Sequence, residues 1–154
     1  MPSMTFERDL TVASDPKTCW AVLTDVPRLV SWVSIVQDAQ EIAHLERYTA
    51  VLMDRLGPFK LRADLDISVD DVRENENVHV KAAGEDRQVS SRIGVDAVLR
   101  LSETDDGGTS IAVTGSYEVV GRVATLGAGM IRQKAAKILD EFFKHAAAEL
   151  GDRS

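Results

Sequence analysis

The sequence predicts an α+β fold in which a curved antiparallel β-sheet and two short helices wrap around a long C-terminal helix. Three observations carry the prediction. Residues 36–120 read almost entirely as strand, with apolar and polar side chains alternating at period two. Two short proline-led helical patterns stand ahead of that region, and one long stripe at helical period follows it.

The composition is compatible with this. The chain has 154 residues, which suits a single domain spanning 1–154. It is 44% apolar and 28% charged, as globular proteins are. A formal net charge of −7 repels phosphate backbones and argues against a nucleic-acid partner. The one cysteine, Cys19, excludes an internal disulfide. The opening residues MPSMTFERDL lack the basic and apolar segments of a signal peptide, and no stretch reads as a membrane span. The expectation is a soluble cytoplasmic protein.

Residues 4–12 place Met4, Phe6, Leu10 and Val12 on one strand face, and parity adds Arg8 to it. Either Arg8 snorkels or a bulge resets the register, or it is a buried polar anchor. Ser14 or Asp15 caps a first helix, with Pro16 at its first position and Cys19, Trp20 and Leu23 along it. Residues 25–27 break that helix, and Pro27 opens a second through Leu29, Val30 and Trp32. Strands follow at 48–56, from Phe59 to Val69, at 78–82, through Ile93 to Leu101, and from Ile111 to Val119. Gly57-Pro58 and residues 105–108 turn the chain between them, so consecutive strands form a six-stranded antiparallel meander. In the second of these strands Phe59, Leu61 and Leu65 alternate with Lys60, Arg62 and Asp64, which assigns an inner and an outer face.

The last segment carries Gly127, Ile131, Ala135, Ile138, Phe142 and Ala146 on one helical stripe, with Asp140 and Lys144 spaced for an i,i+4 pair and Gly151 as a stop. About 28 residues of helix would span roughly 42 Å. Its glycine-rich start is not a phosphate loop. No Gly-x-x-x-x-Gly-Lys-Ser/Thr occurs, and Gly127-x-Gly129 has neither a third glycine nor a βαβ context. Two readings of the small residues Gly127, Ala128 and Gly129 remain: close helix–sheet contact, or space left open for a ligand.

Catalytic and metal-binding patterns are absent. His44, His79 and His145 read as lying on two strands and a helix, with no metal-ligand spacing. Cys19 beside Trp20 reads as a small core residue, and Asp64 and Asp66 as solvated carboxylates. No Gly-x-Ser-x-Gly elbow is present. No metal, cofactor or catalytic residue is assigned. Tyr48 and Tyr117 are the candidate polar handles, should they face inward. The candidate ligand-binding set comprises Trp32 at the mouth, then Phe59, Leu61, Leu65, Val95, Leu99 and Tyr117 from the sheet. Gly127, Met130 and Ile131 complete it from the helix.

The order of elements resembles the helix-grip fold of the START-like (SRPBCC) superfamily, which includes polyketide cyclase-like proteins. In detail the chain is similar to the CoxG family of carbon monoxide dehydrogenase subunits. The residues that carry this are Asp15-Pro16 with 19–25 (CWAVLTD), 56–60 (LGPFK), 108–111 (GTSI), and Leu126-Gly127 leading to 140–143 (DEFF). The resemblance implies a carrier for a hydrophobic or amphipathic molecule, lipid-like or quinone-like, held between sheet and helix. It also implies two alternatives: a cyclase- or hydratase-type enzyme using the same cavity, and an accessory or membrane-recruitment factor for a molybdenum hydroxylase. Transient membrane contact and a molybdenum hydroxylase complex are the partners it brings into view.

Overall fold

Among the described residues seven strands form one sheet in the order β1-β7-β6-β5-β4-β3-β2, every neighbouring pair antiparallel. The computed structural model describes residues 3–153; the outermost residues of the predicted 1–154 domain lie outside them. In chain order the elements are β1 (Ser3–Val12), α1 (Pro16–Leu23), α2 (Val26–Ser31), β2 (Val36–Ala43), β3 (Arg47–Leu56), β4 (Phe59–Arg73), β5 (Asn77–Asp86), β6 (Ser91–Glu103), β7 (Thr109–Gly121) and α3 (Ala128–Leu150), with a 3-10 turn (Arg122–Leu126) before α3. The six-stranded meander of the sequence reading is β2 to β7, and β1 closes against β7. Strands β4 and β5 run several residues beyond their predicted ends, because cross-strand pairing carries them past the apolar pattern.

Local chemistry accounts for the short helices. Asp15 caps α1 by accepting a hydrogen bond from the Thr18 amide at 2.8 Å, and Pro16 sits at the first position. The Thr18 hydroxyl first, and this amide with it, stabilise the charged carboxylate and hold Asp15 below its usual pKa. Pro27 is the second residue of α2, whose N-cap Asp25 makes no side-chain capping hydrogen bond.

Directly opposed residues share a face of the sheet. Met4, Tyr117, Val95, Ala82, Ile67 and Tyr48 therefore make one inner row from β1 to β3. Leu10, Ile111 and Leu101 make another, near the end of the sheet where α1 and the end of α3 pack. There Leu10, Val12, Ile111 and Leu101 join Cys19, Trp20, Leu23, Trp32, Ala146 and Leu150 in the core. The opposite face carries Asp64, Asp66, Lys81 and Asp96 and faces solvent.

Three expectations need correction. Helix α3 has 23 residues, not about 28, because Gly127 takes φ 95° and caps the helix from outside it. Asp140 does not pair with Lys144 but with Arg8 across the structure. His44 stands in the β2–β3 turn, not on a strand.

Candidate functional site

The two halves of α3 meet the sheet differently. Its C-terminal half is fastened. Ala146 and Leu150 are in the core with Phe142, Phe143 and Ala147 against it. The backbone amides of Ala13 and Ser14 donate to the carbonyls of Gly151 and Leu150. Arg153 N–H also reaches the Thr11 carbonyl. The N-terminal half has no such seam. A Cβ built at Gly127 or at Gly129 would meet nothing within 4 Å, so the close-contact reading of these glycines does not hold. Residues 127–130 are all exposed, and Ile131 is the first buried residue of the helix.

Polar bridges hold the first half and the middle of α3 over the sheet. Arg8 Nη1 donates to Asp140 Oδ1 at 2.5 Å, and Lys134 Nζ lies 2.8 Å from Asp54 Oδ2. Arg8 stands on the inner face opposite Val113, and Asp54 on the inner face opposite Leu61. The Ser34 amide donates to Glu141 Oε1 at 2.6 Å. The helix is thus pinned from β1, from β3 and from the segment after α2. β1 pairs with β7 without a register shift, so no bulge intervenes and Arg8 does point inward.

Between these bridges lies an apolar surface with small side chains at its centre. Ala97 and Gly115 oppose one another, and Ala82 opposes Val95. Phe6 and Tyr117 lie with ring centroids 6.2 Å apart, and the Tyr117 hydroxyl donates weakly to Met4 Sδ at 3.5 Å.

The predicted site residues divide as follows. Phe59, Leu61, Leu65, Val95, Leu99 and Tyr117 do share the inner face; Leu61 is buried and the other five are half-buried. Met130 is exposed, and Gly127 lies just outside the helix start. Trp32 is not at a mouth. It is only 4% exposed and packs edge-on against Phe142 at 5.5 Å and parallel to His145 at 6.1 Å, in the closed half of the fold. As the C-cap of α2 it is aimed beneath the end of α3. Tyr48 is buried too, and its hydroxyl accepts the Leu45 amide at 2.7 Å, so it is a structural tyrosine whose burial raises its pKa. Cys19 is fully buried, and burial pushes its thiol upward, away from nucleophile chemistry. Sequence reasoning passed over Asp54 and Phe6 as site residues. Parity with Tyr48 and with Met4 was the available signal.

The outer face holds a different arrangement. His79 Nδ1 is 2.7 Å from Asp70 Oδ1, and Nε2 is 2.6 Å from Asp96 Oδ1. Asp96 first, and Asp70 with it, raise the imidazole pKa against some opposing desolvation. Beside it an open groove of about 480 Å³ is lined by Arg47, Asp66, Lys81 and Asp96 together with Ala83, Gly94, Val95 and Tyr117. Among the described residues no group of three or more His, Cys, Asp or Glu could hold a metal ion. No helix among them is long and apolar enough to cross a membrane.

A long helix over an antiparallel sheet, with its apolar inner face incompletely covered, is the START-like helix-grip fold. Solved structures agree. The chain is similar to a conserved protein from Geobacillus kaustophilus (23% identity, 96% of this chain and 94% of that one, TM-score 0.80). It is also similar to a START superfamily protein from Mycobacterium smegmatis (12% identity, 95% and 96%, TM-score 0.69). A third likeness is to the di-domain ARO/CYC protein StfQ of the steffimycin biosynthetic pathway (11% identity, 95% and 50%, TM-score 0.66). These likenesses concern the fold. The chain itself belongs to the CoxG family of carbon monoxide dehydrogenase subunits, whose model matches residues 9–151. A search of curated proteins found no match.

Proposed function

We infer that this chain binds a hydrophobic or amphipathic small molecule, lipid-like or quinone-like, between the inner face of the sheet and the N-terminal half of α3. The observation that carries this reading is the contrast within α3. One half is packed into the core, while the other begins at exposed residues 127–130, and Val95 and Tyr117 on the inner face are left half-buried. Apolar surface left half-covered in this way gains about 25 cal/mol per Å² when a ligand covers it. The few polar groups at its border would orient the ligand. Arg8 and Asp54, the inner-face charges that reach α3, are ion-paired with Asp140 and Lys134, and Asp86 on the same face is held by the Arg62 and Gln88 amides, which supports a carrier over a cyclase- or hydratase-type enzyme. The family description makes a carbon monoxide dehydrogenase complex the protein partner to test.

The test is native mass spectrometry of freshly purified protein, joined to displacement of a fluorescent apolar probe. Ala97→Leu should abolish probe binding while thermal stability is kept, since Ala97 sits centrally on the half-covered face. Probe binding that is unchanged in this variant would rule the site out.

A further inference from the structure

The sheet has two edges, and they are built differently. Edge β2 is interrupted. Its pairing with β3 shifts register between Gln37 and Gln40 and again between Glu41 and Ala43, and Asp38 stands at φ 55°. Such irregularities turn a strand away from further pairing. Edge β1 has no such device. Its 10 residues, Ser3 to Val12, pair with β7 without a shift, and none is proline or glycine. Its inward charge, Arg8, is committed to Asp140 and does not guard the edge.

Hydrogen bonds at the end of β1 reveal which backbone groups point away from β7. The Arg153 amide donates to the Thr11 carbonyl at 2.8 Å, and the Ala13 amide donates to the Gly151 carbonyl at 2.6 Å. Positions 11 and 13 thus turn their backbone groups to the free side, and period two extends this to Thr5, Glu7 and Asp9. Among the described residues no hydrogen bond takes up the amides or carbonyls of these three. Residues 151–153 already add backbone to the edge, with an antiparallel bridge between Val12 and Asp152, and the stretch 3–9 beside them is open. Thr5, Glu7 and Asp9 project to the outer face, and all three are exposed. Glu7 and Asp9 make no salt bridge among the described residues. The β7 residues opposite Thr5, Glu7 and Asp9 are Ser116, Thr114 and Ala112, which bring no cation. On the inner side Met4 and Phe6 are half-buried.

We propose that the free edge of β1 binds an extended basic peptide segment by strand addition. Lys or Arg at alternate positions of that segment would face Glu7 and Asp9, and apolar residues between them would lie beside Met4 and Phe6. Backbone hydrogen bonds to Thr5, Glu7 and Asp9 supply affinity, and the alternate side chains supply selectivity. A second copy of β1 fits less well, because it would add its own Glu7 and Asp9 to the same face. This inference concerns the rim of the sheet and stands whether or not the inner face takes a small molecule.

The probe is a fluorescein-labelled peptide, Lys-Val-Lys-Val-Lys-Val-Lys, titrated with the protein and followed by fluorescence anisotropy. It should bind, and the same peptide with Glu in place of Lys should not. A chain of net charge −7 attracts any cationic peptide, so the backbone is tested separately. N-methylation at the lysines keeps the charge, removes the amides that would donate to β1, and should abolish binding. Opposite-charge pairs across strands contribute up to about fivefold each, so Glu7→Gln/Asp9→Asn should bind up to about 25-fold more weakly with an unchanged melting curve. Thr5→Pro removes an amide that points away from β7, a change an edge strand tolerates, and should weaken binding at constant charge. If Thr5→Pro lowers the melting temperature, the N-methylated peptide carries the same test on the wild-type chain. Absence of binding, equal binding of the Glu peptide, full binding of the N-methylated peptide, or wild-type binding by Glu7→Gln/Asp9→Asn would overturn the proposal. So would a dimer in sedimentation equilibrium that Thr5→Pro dissociates, which would assign the edge to a second copy instead.

Discussion

Arg8 of β1 and Asp140 of α3 meet at 2.5 Å across 132 residues of sequence, joining the inner face of the sheet to the helix above it. The pair is half in solvent, with side chains 36% and 67% exposed. Its Coulombic gain is therefore screened, and Asp140→Asn should cost no more than about 1 kcal/mol in urea denaturation. Arg8→Met should be neutral or slightly stabilising, because an apolar chain continues the row of Val113 and Leu99. A loss above about 2 kcal/mol in either variant would mean that the pair is buried far more deeply in solution than its exposure implies.

Gly127 and Gly129 should respond to alanine with opposite signs. Gly129 is helical and open on its Cβ side, so Gly129→Ala should stabilise by up to about 1 kcal/mol. Gly127 sits at φ 95°, where a Cβ is strained, and Gly127→Ala should destabilise by about 1–3 kcal/mol. Thermal melts of the two variants side by side decide the point; equal shifts would place the helix start elsewhere.

Closed and open halves of the fold should differ in their sensitivity to truncation. Trp32→Ala removes an indole packed on Phe142 and His145 and should cost about 3–5 kcal/mol. Val95→Ala, on the half-covered face, should cost less than about 2 kcal/mol and weaken probe binding. A comparable loss at both positions would indicate that the inner face is packed throughout.

His79 should make stability depend on pH. Its folded pKa is raised above the ordinary histidine value by Asp96 and Asp70. The stabilisation is fully present below the unfolded pKa near 6.5 and is lost as pH rises through the folded value. Wild type should therefore exceed His79→Gln in melting temperature at pH 6, and the gap should narrow steadily toward pH 9. A gap that widens with pH would show that the neutral imidazole is the favoured form.

Much of the fold was legible because its signals are local. Alternation from Phe59 to Val69 assigned both the strand and its two faces, since period two leaves only one register that buries Leu61 and Ala63. Proline and aspartate at the starts of α1 and α2 did the same for the helices. Parity with Phe6 and Leu10 offered the inward direction of Arg8 as one open reading, and the unbroken β1–β7 register decided it.

What the tertiary structure decided concerns distances between segments far apart in sequence. Helical period at residues 127–146 cannot say which end of α3 touches the sheet, nor that Gly127 stands outside the helix at positive φ. An apolar pattern looks the same whether its residues are packed or merely half-covered. For that reason Trp32 read as a mouth residue and is core, while Val95 and Tyr117 read as inward and remain half-buried. Asp140 had a local partner in Lys144 by spacing, yet it bonds Arg8. The packing of α3 on β1 brings that guanidinium within reach, and a charged group on an apolar face gains more from a partner than a lysine already in water does.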